Sequence, residues 1–171
     1  QDCPHNVTKI GCGGCPQDLP DSHFYDRQLA NHTIHSLRLA KQLQRPFFLA
    51  AGFRRPHTPW YIAQRFVDMY PELMPPPKYP DFAKGQPGCA FICGGDGVGC
   101  DFNVTTPRNA SWSSECRRTY YAAVTGTDHY IGLVLDELAE LGFESTTAVV
   151  VFGDHGWVSA RVLSRMSGWV E

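Results

Sequence analysis

No segment of this 171-residue chain approaches the roughly 18 consecutive apolar residues of a membrane span. The longest apolar runs, 46–53 and 148–152, have the length of strands. Neither sign of charge dominates: 15 basic residues stand against 17 acidic ones, a net charge of −2. That excludes a strongly basic nucleic-acid binder. Several catalytic signatures are missing. There is no Gly-x-Ser-x-Gly elbow, no His-Glu-x-x-His helix, and no Cys/His pair in a thiol-protease setting. Gly94-Gly95-Asp96-Gly97 lacks the Lys-Ser/Thr of a phosphate loop. No internal repeat or heptad run is present. The first residues show neither the basic nor the apolar region of a secretory signal, which implies a removed signal or an internal piece of a longer protein.

The length fits one domain, at about 150 residues per domain. With 43% hydrophobic and 12% aromatic residues, the composition is globular. Seven cysteines stand at 3, 12, 15, 89, 93, 100 and 116. Asn-x-Ser/Thr sequons stand at Asn6, Asn31, Asn103 and Asn109. Together they point to the secretory route and an oxidising compartment. An odd cysteine count leaves at least one thiol outside the internal pairs. Cys12-Gly13-Gly14-Cys15 has no second pair at zinc-like spacing, so disulfides are the stronger reading.

Residues 1–23 read as irregular. Residues 24–44 read as a helix with Leu29, Ile34, Leu37, Leu39 and Leu43 on its apolar stripe, closed by Arg45-Pro46. The run 46–53 lacks alternation and reads as a strand buried on both faces. Residues 54–60 form a rigid loop past it, and 61–70 one short helix. Residues 71–116 read as loop, rich in Cys, Gly and Pro, the mark of an insertion. A helix over 115–141 carries Tyr121, Val124, Asp128, Ile131, Val134, Leu135, Leu138 and Leu141 on one stripe, with Gly142 as its C-cap. A second buried strand follows over 146–152. The alternation implies an α/β fold with a mostly parallel sheet and flanking helices.

Two clusters at strand ends carry chemistry. Asp154-His155 lies at the carboxyl end of the second strand, where open α/β sheets place ligands. A carboxylate beside an imidazole suits a metal, while the local pattern equally allows a polar turn. His57, behind Arg54 and Arg55, offers donors for sulfate, phosphate or carboxylate oxygens; the competing reading is a solvated loop. His129 beside Asp128 reads as surface.

Three blocks resemble the sulfatase family, nearest its iduronate-2-sulfatase-like branch, with the choline-sulfatase-like relatives next. Pro46 through Pro59, with Arg55-Pro56-His57-Thr58-Pro59, resembles the family's strand and (K/R)PHxP loop. Tyr120 through Gly132 resembles its YxASVxxxDxxxG helix, and Thr147 through Trp157 its SDHGW strand and metal loop. The resemblance implies part of an alkaline-phosphatase-like α/β sandwich with a long Cys/Gly/Pro-rich insertion. It implies hydrolysis of sulfate esters on sulfated carbohydrate, in a secreted or lysosomal setting. It further implies one calcium ion held in part by Asp154 and His155, sulfate contact by His57 with Arg54 and Arg55 beside it, and a formylglycine nucleophile.

The chain departs from the family pattern. No Cys or Ser is followed by x-Pro-x-Arg, so the nucleophile motif is absent. The N-terminal Asp-Asp metal pair is also absent, and Val158 through Glu171 do not match. The expectation is therefore a central part of a catalytic domain over 1–157, with 71–116 inserted and 158–171 divergent. Its remainder would lie elsewhere, and this piece would be inactive alone. The alternatives are a non-catalytic secreted glycoprotein that binds sulfated glycans and, ranked lower, a metal-dependent phosphodiesterase of the same superfamily.

Overall fold

The structure is a computed structural model that describes residues 14–76, 110–154, 156–157 and 169–170. Its first element is a short strand, β1 (Gly14–Gln17), inside the stretch expected to be irregular. Cys15 on it is fully buried and disulfide-bonded. A 3-10 turn at Asp21–His23 leads into α1 (Tyr25–Leu43), within a residue of the expected helix. Asp26 sits in its first turn and Lys41 in its last, the arrangement that complements the helix dipole. Gln44, in left-handed geometry (φ 51°), closes the helix before Pro46.

The buried face of α1 keeps only Leu37 of the leucine stripe. It consists of Asp26, Ala30, Thr33 and Leu37, at helical spacing. Leu39 and Leu43 are 46% and 56% exposed. Small residues face inward because α1 lies close against the longest helix, and a larger side chain would hold the two apart.

β2 (Trp60–Ala63) pairs parallel with β1, Gly14 opposite Trp60 and Gln17 opposite Ala63. This corrects the expected single helix over 61–70: only α2 (Gln64–Val67) is helical there. Trp60, Tyr61 and Ile62 are strand formers, and the ladder with β1 captures them. Trp60, Ile62, Ala63, Phe66 and Val67 are all buried and form the middle of the core.

α3 (Ala110–Glu140) crosses this core. It begins five residues before the expected start, inside the stretch read as insertion. Ala122, Ala123 and Tyr130 face inward, while Tyr121, Val124 and Leu135 are outward, each about 40% exposed. Gly126 allows the approach of α2, since a Cβ there would meet the Phe66 ring at 3.2 Å. Ser114 donates to the Glu72 carbonyl and accepts from the Met74 N–H, which ties 72–74 to the start of α3. Gly142, at φ +74°, is the expected C-cap: its N–H reaches the Ala139 carbonyl and the Phe143 N–H reaches that of Leu138. Arg38 of α1 makes a two-pronged ion pair with Glu137 of α3, at 2.8 and 2.6 Å.

The two runs expected as buried strands carry no strand assignment in the structure. Phe48 is 95% exposed, Val150 77% and Phe152 85%. Phe47 meets Phe143 edge-on at 5.1 Å, and Phe53 packs on the core, so the first run is covered at its two ends. A strand exists by its ladder, and these runs have no partner strand among the described residues. A two-residue antiparallel ladder joins β3 (Gly156–Trp157) to β4 (Trp169–Val170).

Candidate functional site

The Arg54–Pro59 loop links the first apolar run to β2, and three elements hold it. From α1, the buried Asp26 carboxylate accepts the N–H of Arg54 at 2.8 Å and of Arg55 at 3.1 Å. From α3, the Thr127 hydroxyl contacts the Arg55 carbonyl at 3.3 Å and the Ala123 carbonyl at 3.1 Å. From β2, the Trp60 indole N–H donates to the Pro56 carbonyl. Within the loop the His57 N–H closes a turn on the Arg54 carbonyl at 3.0 Å. Both prolines of the loop follow cis peptide bonds.

These ties sort the three expected anion-contacting residues. His57 and Arg54 are exposed. The His57 Nδ1 lies on the Thr58 carbonyl, which can only accept, so that nitrogen carries the proton. The ring orientation is thereby set. Arg55 is turned inward: its guanidinium donates to the Tyr61 and His57 carbonyls, each at 3.4 Å, and lies 5.8 Å from the Tyr61 ring centre. Burial pulls the guanidinium below its ordinary pKa, with the Asp26 charge acting against that. Arg55 is thus a brace for the loop, with part of its fork of five N–H groups already committed.

Asp154 is exposed at the end of the second apolar run. His155, its expected companion ligand, lies outside the described residues, as do the cysteines at 3, 12, 89, 93 and 100 and the sequons Asn6, Asn103 and Asn109. Among the described residues no group of three or more His, Cys, Asp or Glu side chains converges into a metal site. The described residues alone therefore do not fit a calcium ion, which requires six to eight oxygen ligands. His129 is on the surface, 5.6 Å from the Phe66 ring centre. Cys116 is a buried thiol, in keeping with the odd cysteine count. Among the described residues no helix is long and apolar enough to cross a membrane.

Asp26 and Thr127 were not apparent as site residues from the sequence. One signal for Asp26 exists: it falls on the i, i+4 row with Ala30, where a charge has no reason to be unless something inside receives it. Thr127, one residue before the motif-like Asp128, has no such signal.

Comparison with known proteins agrees with the three sequence blocks. The chain is 30% identical to human iduronate 2-sulfatase over 158 residues, which covers 84% of this chain and 28% of that protein. It is 31% identical over 159 residues to a sulfatase of Formosa agariphila, covering 88% of this chain and 29% of the relative. An arylsulfatase of Clostridium perfringens is 30% identical over 161 residues, 89% of this chain and 32% of its own length. The chain thus spans less than a third of the curated relatives it matches. The sulfatase family model matches residues 8–162, which takes in α1, the His57 loop, α3 and Asp154. The chain belongs to the sulfatase family, with its alkaline-phosphatase-like α/β fold.

Proposed function

We propose that residues 1–157 are the central part of a catalytic domain that hydrolyses sulfate esters, with a sulfated sugar as substrate. The observation that carries this is the His57 loop. Three separate elements pin its backbone, yet His57 and Arg54 remain exposed. A loop that exists only to connect two elements does not need a buried carboxylate under it.

In this reading His57 contacts the sulfate group. The Nδ1 contact on the Thr58 carbonyl fixes the orientation of its ring. Arg54 adds a charged donor from the surface, and Arg55 adds its uncommitted N–H groups. Donors fixed in place before the reaction stabilise charge on the sulfate oxygens without reorganising during it. Asp154 and His155 are proposed as donors to one calcium ion, whose preference for oxygen suits a carboxylate and a sulfate. The described residues do not complete that ion's shell. The domain is proposed to act in the secretory route, lysosomal or extracellular, consistent with the sequons and cysteines.

The exposed runs support a fragment reading. We propose that the remainder of the catalytic domain lies over 46–53 and 146–152 and supplies the missing strands, the nucleophile and the other metal ligands. Residues 71–116, the last of which open α3, are then an insertion and 158–171 a divergent tail.

The test is turnover of an aryl sulfate. The isolated 1–171 chain is expected to show none. In the native enzyme containing this segment, His57→Ala is expected to lower kcat/KM about 100-fold, the cost of removing one preorganised donor. Wild-type turnover by that variant would remove His57 from the site. Turnover by the isolated chain, lost in Asp154→Ala, would contradict the fragment reading.

A further inference from the structure

Asp26 lies in the first turn of α1, where a carboxylate ordinarily accepts N–H groups of its own helix. It does not do so here, and the helix start has no side-chain cap. Its two oxygens instead reach the chain 28 and 29 residues away, one to each of the Arg54 and Arg55 amides. Asp26 is 3% exposed. A buried charge costs several kcal/mol unless it is well paired, so its position needs a return. The two amides it holds are those that begin the turn closed by the His57 N–H on the Arg54 carbonyl. The Thr127 hydroxyl lies 3.3 Å from the Arg55 carbonyl, in the peptide group that follows.

We infer that Asp26 is the positioning residue of the sulfate-contacting loop: it fixes the Arg54 and Arg55 peptide groups and, through them, the place of His57. Thr127 assists from α3. This rests on the reading of His57 as the sulfate contact. Asp26 itself touches no substrate. Two charge-assisted hydrogen bonds on consecutive amides set both the position and the tilt of the peptide between them. A neutral amide side chain cannot reproduce this, because its NH₂ would face an N–H. Asp26→Asn therefore loosens the loop while preserving side-chain volume.

The experiment is a double-mutant cycle between Asp26→Asn and His57→Ala in the native full-length enzyme, read by kcat/KM for an aryl sulfate. Hydrogen exchange of the peptide that spans 53–57 is measured alongside. Asp26→Asn alone is expected to lower kcat/KM about 10-fold and to speed exchange at the two amides about 10-fold or more, the scale of one lost charge-assisted bond. In the His57→Ala background the same change is expected to cost nothing further, because the residue it positions is gone. Thr127→Ala is the second variant, should Asp26→Asn not fold; it is expected to lose less, with the same dependence on His57. Equal cost in both backgrounds would reduce Asp26 to general stability and overturn the inference. Unchanged exchange at 54 and 55 would remove the clamp itself. Wild-type turnover of His57→Ala would sink the reading beneath it, whatever Asp26 does.

Discussion

At the scale of single residues, buried polar groups decide most. Asp26 is satisfied by two amides; the hydroxyl of Tyr130 is not. Tyr130 is 4% exposed, and its oxygen has no aligned hydrogen-bond partner in the structure although the Asp21–Arg65 pair lies beside it. Burial, reinforced by the Asp21 charge, pushes the phenol up to about 12. Tyr130→Phe is expected to leave stability unchanged or to raise it by up to about 1 kcal/mol, since it removes a buried group that lacks a partner. The dependence on pH has a definite sign. A phenol whose folded pKa is raised stays neutral while the unfolded chain ionises, so the Tyr130 contribution is lost as pH rises from about 10 toward 12. Thermal unfolding of the wild type and Tyr130→Phe across that range checks both points; a loss of 2 kcal/mol or more in the variant would mean that the hydroxyl has a partner after all.

At the scale of elements, ion pairs fasten helices that the hydrophobic pattern does not. Asp21, on the turn before α1, pairs with Arg65 of α2. The Arg65 hydrogen bond holds the Asp21 carboxyl below its ordinary value, burial opposing. A carboxylate with a depressed folded pKa stabilises above its unfolded pKa, and that stability is lost as pH falls through the folded one. The pair is part-exposed, so it contributes under about 1 kcal/mol. Below about pH 4 the wild type is expected to lose this increment, whereas Asp21→Asn lacks it at every pH and declines less steeply. Parallel acid-unfolding curves for the two proteins would exclude the pair as a fastening.

Legibility followed the same division. The ends of α1 and of α3 at its C-terminus were plain from Arg45-Pro46 and Gly142, because local backbone chemistry sets them. Which face of each helix is buried was not plain. Of the leucine and valine stripes Leu37 and Leu138 are buried, but α1 also turns Asp26, Ala30 and Thr33 inward and α3 turns Ala122, Ala123 and Gly126. Helices that approach closely select small residues, and a hydrophobic count cannot register that. β1 and β2 were missed because four-residue strands are held by their partner rather than by propensity. The loop containing His57 was legible by its motif, whereas the carboxylate under it was not, since the contact spans 28 residues of sequence.

At the scale of the whole molecule, apolar surface lies open to solvent in several places. The runs around Phe48 and Val149–Phe152 are apolar and largely exposed, and Leu39, Leu43, Tyr121 and Val124 add outward apolar faces on α1 and α3. Exposed apolar segments of this kind invite association. The chain spans 28–32% of the length of the relatives it matches. The central claim is that this sequence works as part of a larger sulfatase domain. The intact mass and peptide map of the native protein from its source test it most directly. The account predicts a chain well above 19.1 kDa, with upstream peptides that include a formylglycine residue in an x-Pro-x-Arg setting. A native chain that starts near Gln1, ends near Glu171 and carries no formylglycine would contradict it.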